Sequence, residues 1–290
     1  MAIGTIGHFF NVRRGFATGI ASCAGSLGGI FFTLMLSSLF TSAGFAWATR
    51  ALGFIFAFLL VMANLLVRSR PPGKPISRSN ILPDFRIFKD QTFLLMTIAL
   101  FLIEWGLFIG LSYITSFALA NGIRPALAYQ LISILNAGSF FGRWAPGLLA
   151  DKIGRFNTMI LMIFLCMITT LGLWLPAALT SSPAPREGLL IAFALLFGFA
   201  SGSNITLGPV CAGQLCKTEN YGKYFATCYT LVGVGTLVGI PIGGEILARA
   251  GGDYVGLIAF GGGCYAFGLI FFVWARVRAV GWGLRKANIF

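Results

Sequence analysis

Eight continuously apolar blocks, each roughly 20 to 27 residues long and bounded by charge, limit what this chain can fold into. At a helical rise of about 1.5 Å per residue, each block is long enough to cross about 30 Å of hydrocarbon. The blocks are residues 15–40, 44–67, 93–119, 127–149, 157–179, 189–212, 224–248 and 255–275. Barrel strands are excluded, because they are about ten residues long and alternate between lipid and lumen faces. The chain is 57% hydrophobic and only 10% charged, more apolar sequence than a water-soluble core requires. These features predict an all-α integral membrane protein of about eight transmembrane helices.

Charge gives the orientation, because short cytoplasmic loops carry the excess of Lys and Arg. One side collects Arg13, Arg14, Lys74, Lys152, Arg155, Lys223 and Arg278 among others, while the opposite side holds only Arg50, Arg124, Arg186 and Arg249. Both ends of the chain are therefore expected on the cytoplasmic side. The formal net charge of +13 follows from this bias, so no nucleic-acid partner is implied. The partner that the pattern does imply is the lipid bilayer.

Several chemistries lack the residues they would need. The six cysteines include no CxxC pair, and the single histidine, His8, leaves no cluster for a metal or a catalytic triad. An intramembrane enzyme would need a nucleophile with a base at matching depth, and no such pair stands out. No GxxxxGK[ST] loop is present, so active transport would have to draw on an ion gradient. Residues 1–10 lack the basic leader and cleavage site of a secretory signal and read as the end of another helix.

The connection from Arg68 to Gln91 is the longest and is rich in Pro, Ser and Arg. It divides the chain into residues 1–67 with two helices, a basic cytoplasmic linker at 68–92, a six-helix bundle at 93–276 and a cytoplasmic tail at 277–290. Carriers built from two six-helix halves join them through one long linker of this kind.

Two motifs point the same way. The run Phe9-Phe10-Asn11-Val12-Arg13-Arg14-Gly15, continuing through Gly19 and Gly25 to Gly28, places two arginines at headgroup depth and small residues on one helix face. It resembles the fifth-helix signature of the monocarboxylate transporter family. The segment Gly147-Leu148-Leu149-Ala150-Asp151-Lys152-Ile153-Gly154-Arg155 resembles the short cytoplasmic loop motif of the major facilitator superfamily. There Gly154 permits a tight turn and Asp151 can accept charge-assisted hydrogen bonds from an Arg or a helix end. In that family such contacts latch the cytoplasmic gate. The stretches 133–143, 198–202 and 239–244 extend the resemblance along the chain and bring it nearest to the fungal branch. The resemblance implies helices five to twelve of a twelve-helix fold, with the first four and their acidic-Gly-Gly-aromatic motif lacking.

Ionisable residues inside a membrane are costly and mark function. Glu104, Arg143 and Glu245 qualify. Glu104 and Arg143 lie at similar depth, near enough for pairing, so Arg143 is a candidate to hold an anionic substrate and Glu104 to neutralise it when the site is empty. Animal relatives in the family keep an Arg matching Arg143, as a substrate and proton-coupling residue, and an Asp one turn earlier. Ser139 occupies that earlier position here, and Glu104 is its proposed substitute in proton coupling. Arg143 is equally placed to snorkel to the helix end or to cap the Asp151 loop, and Glu104 to pair with the linker or to meet a neighbouring helix amide. Asn136 and Asn204 lie near helix centres, where they would bind substrate or join helices. Trp105 and Trp144 adjoin the charged pair and are cavity candidates. Glu245 precedes Arg249 by four residues, the spacing of a helical ion pair.

The reading is a secondary active transporter for a small organic acid or secondary metabolite, with no cofactor and with proton coupling implied by the family resemblance. It is expected in the plasma membrane, with the vacuolar membrane as the alternative. The competing expectation is a non-transporting remnant or sensor of the same fold.

Overall fold

The computed structural model describes residues 6, 9–10, 14–67, 83–180 and 182–282. Arg13, most of the expected linker (68–82) and the tail beyond residue 282 lie outside the described residues, as does the side chain of Arg14.

Eight long helices follow in order, with no strand among the described residues. They are α1 (Arg14–Ser42), α2 (Gly44–Leu66), α3 (Gln91–Ala120), α4 (Pro125–Ile153), α5 (Arg155–Leu179), α6 (Pro183–Gln214), α7 (Tyr221–Arg249) and α8 (Val255–Val280). All but α4 are long and apolar enough to cross a membrane. At 29 residues α4 has the length, but Gln130, Ser133, Asn136, Ser139 and Arg143 interrupt its apolar character. The helix that is least lipid-like therefore carries most of the candidate site.

Local chemistry sets the helix ends. Asp90 caps α3 by accepting from the Thr92 N–H at 2.9 Å, and Pro125 and Pro183 stand in the first turns of α4 and α6, where a missing N–H costs nothing. Gly154 turns the chain from α4 into α5 at φ +98°, a conformation that disfavours any residue with a Cβ. Inside α5 a π-helical turn spans Thr170–Trp174. It ends just before Pro176, which lacks the N–H that would reach Gly172 and whose ring would meet that carbonyl.

The core lies among α3 to α8. Trp174, Phe193 and Phe197 stack in series at 5.0 and 4.9 Å, and Tyr265 meets Phe197 edge-on at 6.0 Å. The closest crossing is α4 on α6. There Gly138 and Gly142 face backbone carbonyls of Leu195 and Phe199, and Gly198 faces that of Leu135, so that an added methyl at any of the three would collide with main chain. Pro146 cannot donate to the Gly142 carbonyl four residues earlier, and Ser203 of α6 donates its hydroxyl there instead at 2.7 Å.

The basic-loop face is tied by Asp84, which pairs with Lys223 at 2.7 Å and whose N–H donates to Thr227 Oγ1 at 3.0 Å. The Lys223 ammonium and the Arg86 N–H hold the Asp84 carboxyl below the usual carboxylate range. On the opposite face Arg186 donates to the carbonyls of Ala177, Asn121 and Thr180, gathering helix ends that would otherwise leave carbonyls unsatisfied. Helix α2 lies against α1 and buries only Ala48.

Candidate functional site

Small residues on α1 allow it to approach α4 closely. Gly15, Gly19, Ser22, Ser26 and Gly29 recur at three- and four-residue spacing, which places them on one helix face. A Cβ on Gly15 would stand 2.8 Å from the Gly147 carbonyl, and a Cβ on Gly147 would stand 2.7 Å from that of Gly15. Gly19 faces the Arg143 carbonyl, and Gly29 faces Asn136, whose Oδ1 would lie 2.6 Å from an added methyl. The Gly19 and Gly25 positions read from the helix-start motif thus lie on a contact face.

Arg143 projects into this crossing. Its Nη1 donates to the Ser22 carbonyl of α1, and its Nε donates to Ser139 Oγ at 3.3 Å. Ser139 also accepts from Ser26 at 3.2 Å, in a buried link between α1 and α4. A Cβ on Gly25 would come within 2.6 Å of Arg143 Nη1, so the absence of a side chain there leaves room for the guanidinium. Among the described residues Arg143 makes no ion pair; the Ser22 carbonyl and the Ser139 hydroxyl that accept from it are neutral. Asn136 lies on the same side of α4, and its Nδ2 donates back to Ile132 at 3.0 Å.

Glu104 is not brought to Arg143. It sits half-buried near the middle of α3. It makes no ion pair among the described residues. Similar depth did not produce contact, because α4 turns Arg143 toward α1. The alternative in which Arg143 caps the Asp151 loop is also not realised.

Asp151 instead reaches the start of α1. Its Oδ1 accepts from the Gly15 N–H and its Oδ2 from the Phe16 N–H, each at 3.1 Å. These amides belong to the first described turn of α1, with no acceptor within the described part of that helix, and a carboxylate there is favoured by the helix dipole. The loop motif and the helix-start motif, read separately in the sequence, therefore form one contact. Lys152 is exposed, and Arg155 opens α5 directly after Gly154.

Other candidates prove to join helices. Trp105 lies between Phe101 and Phe260 and donates its indole N–H to the Gly235 carbonyl at 2.6 Å, tying α3 to α7. Asn204 donates to the Cys166 thiol at 3.4 Å, linking α6 to α5. Glu245 and Arg249 pair at 2.7 Å as their spacing predicts. All six cysteines are free thiols. Ser22, Cys23 and Ser26 on α1 were not singled out from the sequence as partners of the Arg143 region; their place on the small-residue face was the available sign. Cys23 donates to the Phe140 carbonyl at 3.4 Å.

Comparison with known proteins agrees with this architecture. The family model described as Major Facilitator Superfamily matches residues 1–186. An MFS-type transporter, opdF, of Penicillium oxalicum is 40% identical over 95% of this chain and 63% of its own length. The riboflavin transporter MCH5 of Saccharomyces cerevisiae is 36% identical over 94% of this chain and 56% of its own length. The agnestins efflux protein AgnL12 of Paecilomyces divaricatus is 33% identical over 96% and 61%. The chain spans about three-fifths of the length of the curated relatives it matches. On the strength of that match, which runs through both the Arg143 crossing and the Asp151 contact, the chain belongs to the Major Facilitator Superfamily.

Proposed function

We propose that this chain carries the anion-binding and coupling part of a monocarboxylate transporter-like carrier, moving a small organic acid or an acidic metabolite by alternating access. The observation that carries the reading is Arg143. An intramembrane guanidinium with no carboxylate partner among the described residues is electrostatically incomplete, and a substrate anion would complete it bidentately. Ser139 and Asn136 supply neutral polar groups on the same face of α4. Glu104, on a different helix and free of any cation partner among the described residues, is the proposed proton-coupling group, acting apart from Arg143. Asp151 and the Gly15 region form the gate that must part when the site opens to the basic-loop side. The names of the relatives, which include a riboflavin transporter and an efflux protein for agnestins, support a metabolite as cargo.

Proteoliposomes holding the chain test the reading with a panel of radiolabelled monocarboxylates under an imposed pH gradient. Arg143→Gln is expected to abolish binding and uptake. Glu104→Gln is expected to retain counterflow while losing the dependence on the gradient. Uptake that survives Arg143→Gln refutes the substrate role, and unchanged pH dependence in Glu104→Gln refutes the coupling role. Saturable binding without any flux would favour a non-transporting sensor.

A further inference from the structure

A groove of about 770 Å³ opens on the outer side of the bundle between α5 and α8, away from the Arg143 crossing. Its walls are apolar and include Leu161, Phe164 and Val273; Leu161 and Phe164 are exposed. One end is polar and basic, formed by Lys152, Asn157 and Arg276. That end is built rather than incidental. Arg276 is only 7% exposed, donates its Nε to Asn157 Oδ1 at 3.0 Å and its Nη1 to the Gly281 carbonyl at 2.9 Å. Asn157 in turn donates to the Ile153 carbonyl at 2.7 Å. Lys152 is exposed and makes no ion pair among the described residues. Asp151, next to it, is engaged with the α1 amides and does not neutralise it.

The polar end lies where α4 ends, α5 begins and α8 ends, on the face that the loop charges assign to the cytoplasm. From Asn157 to Phe164 the apolar wall descends on the order of 10 Å into the hydrocarbon at 1.5 Å per residue. Basic groups at headgroup depth above an apolar channel between helices match one ligand chemistry, a phosphate-bearing headgroup joined to acyl chains. We propose that this groove binds an anionic phospholipid of the cytoplasmic leaflet, its phosphate at Lys152 in the field of Arg276 and an acyl chain along Leu161, Phe164 and Val273. A free phosphate lacks the apolar part and would leave the groove walls unpaired. The inference is independent of the Arg143 reading, since it uses a different face of the bundle.

Native mass spectrometry of the purified, delipidated chain tests it by titration with phosphatidylserine or phosphatidylcholine of the same acyl composition. Phosphatidylserine is expected to be retained at least five-fold more strongly, with Lys152→Gln reducing that preference to near unity at an unchanged melting temperature. Lys152→Arg should keep the preference, and Phe164→Trp should weaken both lipids by narrowing the groove. Arg249→Gln, at the opposite membrane face, should leave both unchanged. Equal retention of the two lipids overturns the proposal, as does a preference that survives Lys152→Gln or that falls equally in Arg249→Gln. Full competition by glycerophosphoserine would reduce the site to a headgroup contact and overturn the acyl part. A chain shortened to end at Trp282 that gains affinity several-fold would assign the groove to its own tail instead.

Discussion

Replacing Asp151 tests the contact between the two motifs directly. Two amides at the start of α1 donate to one carboxylate at 3.1 Å each, in a partly buried setting. A side-chain cap on such amides contributes about 0.5–2 kcal/mol, and a charge placed at the helix end contributes up to about 2 kcal/mol in partly buried geometry. The two effects describe overlapping interactions, so about 2 kcal/mol is the expected loss for Asp151→Ala. That corresponds to roughly a 30-fold shift between the closed and the parted contact, at about 1.4 kcal/mol per tenfold. Asp151→Asn keeps one carbonyl acceptor and loses the charge, so about 1 kcal/mol and roughly a five-fold shift are expected. Hydrogen exchange of the Gly15 and Phe16 amides reads this opening, because neither has an acceptor within the described part of its own helix. Both should exchange about 30-fold faster in Asp151→Ala and about five-fold faster in Asp151→Asn. Amides from Gly19 onward, bonded within α1, should keep their rates. Equal exchange in wild type and Asp151→Ala would show that the carboxylate does not hold this helix end and would remove the gate assigned to it.

Two further perturbations probe packing and pH. Gly142→Ala drives a methyl into the Phe199 main chain, and overpacking of this kind costs about 1–3 kcal/mol. Thermal unfolding in detergent should show a lower melting temperature, whereas Gly53→Ala, with open space around it, should leave it unchanged; equal melting of the two variants would refute the close α4–α6 crossing. The Asp84 carboxyl is depressed by Lys223 and the Arg86 N–H, so its contribution is complete above the unfolded carboxyl pKa of about 3.9 and is lost as pH falls through the lower folded value. Exchange of amides 85–89 should therefore show no pH-specific loosening between pH 7 and 5 beyond the intrinsic rate, while Asp84→Asn should loosen them throughout; loosening of the wild type near pH 6 would contradict this.

Most of the fold was legible in the chain because each block alone satisfies the bilayer. A run of about 20 apolar residues has one stable conformation in hydrocarbon, since every backbone group must find its partner within the segment. The ends of α1 to α8 accordingly lie close to the edges of the apolar blocks, with 183 against 189 at the start of α6 among the larger differences. Polar departures were legible for the same reason: Arg143 and Glu104 stand out wherever the helices pack. Their partners were not. Helical periodicity relates residues along one helix, and depth relates residues across helices, but neither gives the rotation of one helix against another.

That rotation decided the site. The glycines of α1 and α4 let the two backbones approach, and the approach brings Arg143, already bonded to Ser139 on its own helix, to the Ser22 carbonyl, while Glu104 on α3 makes no ion pair with it. The same crossing brings Asp151 onto the first turn of α1, joining motifs 135 and 136 positions apart in the chain. Sequence alone therefore determined that the chain spans a membrane, which helices it forms and which charges stand inside them, because the solvent imposes those features on each segment separately. Tertiary structure decided which of those charges meet, because contact depends on the shapes of two helix faces at once.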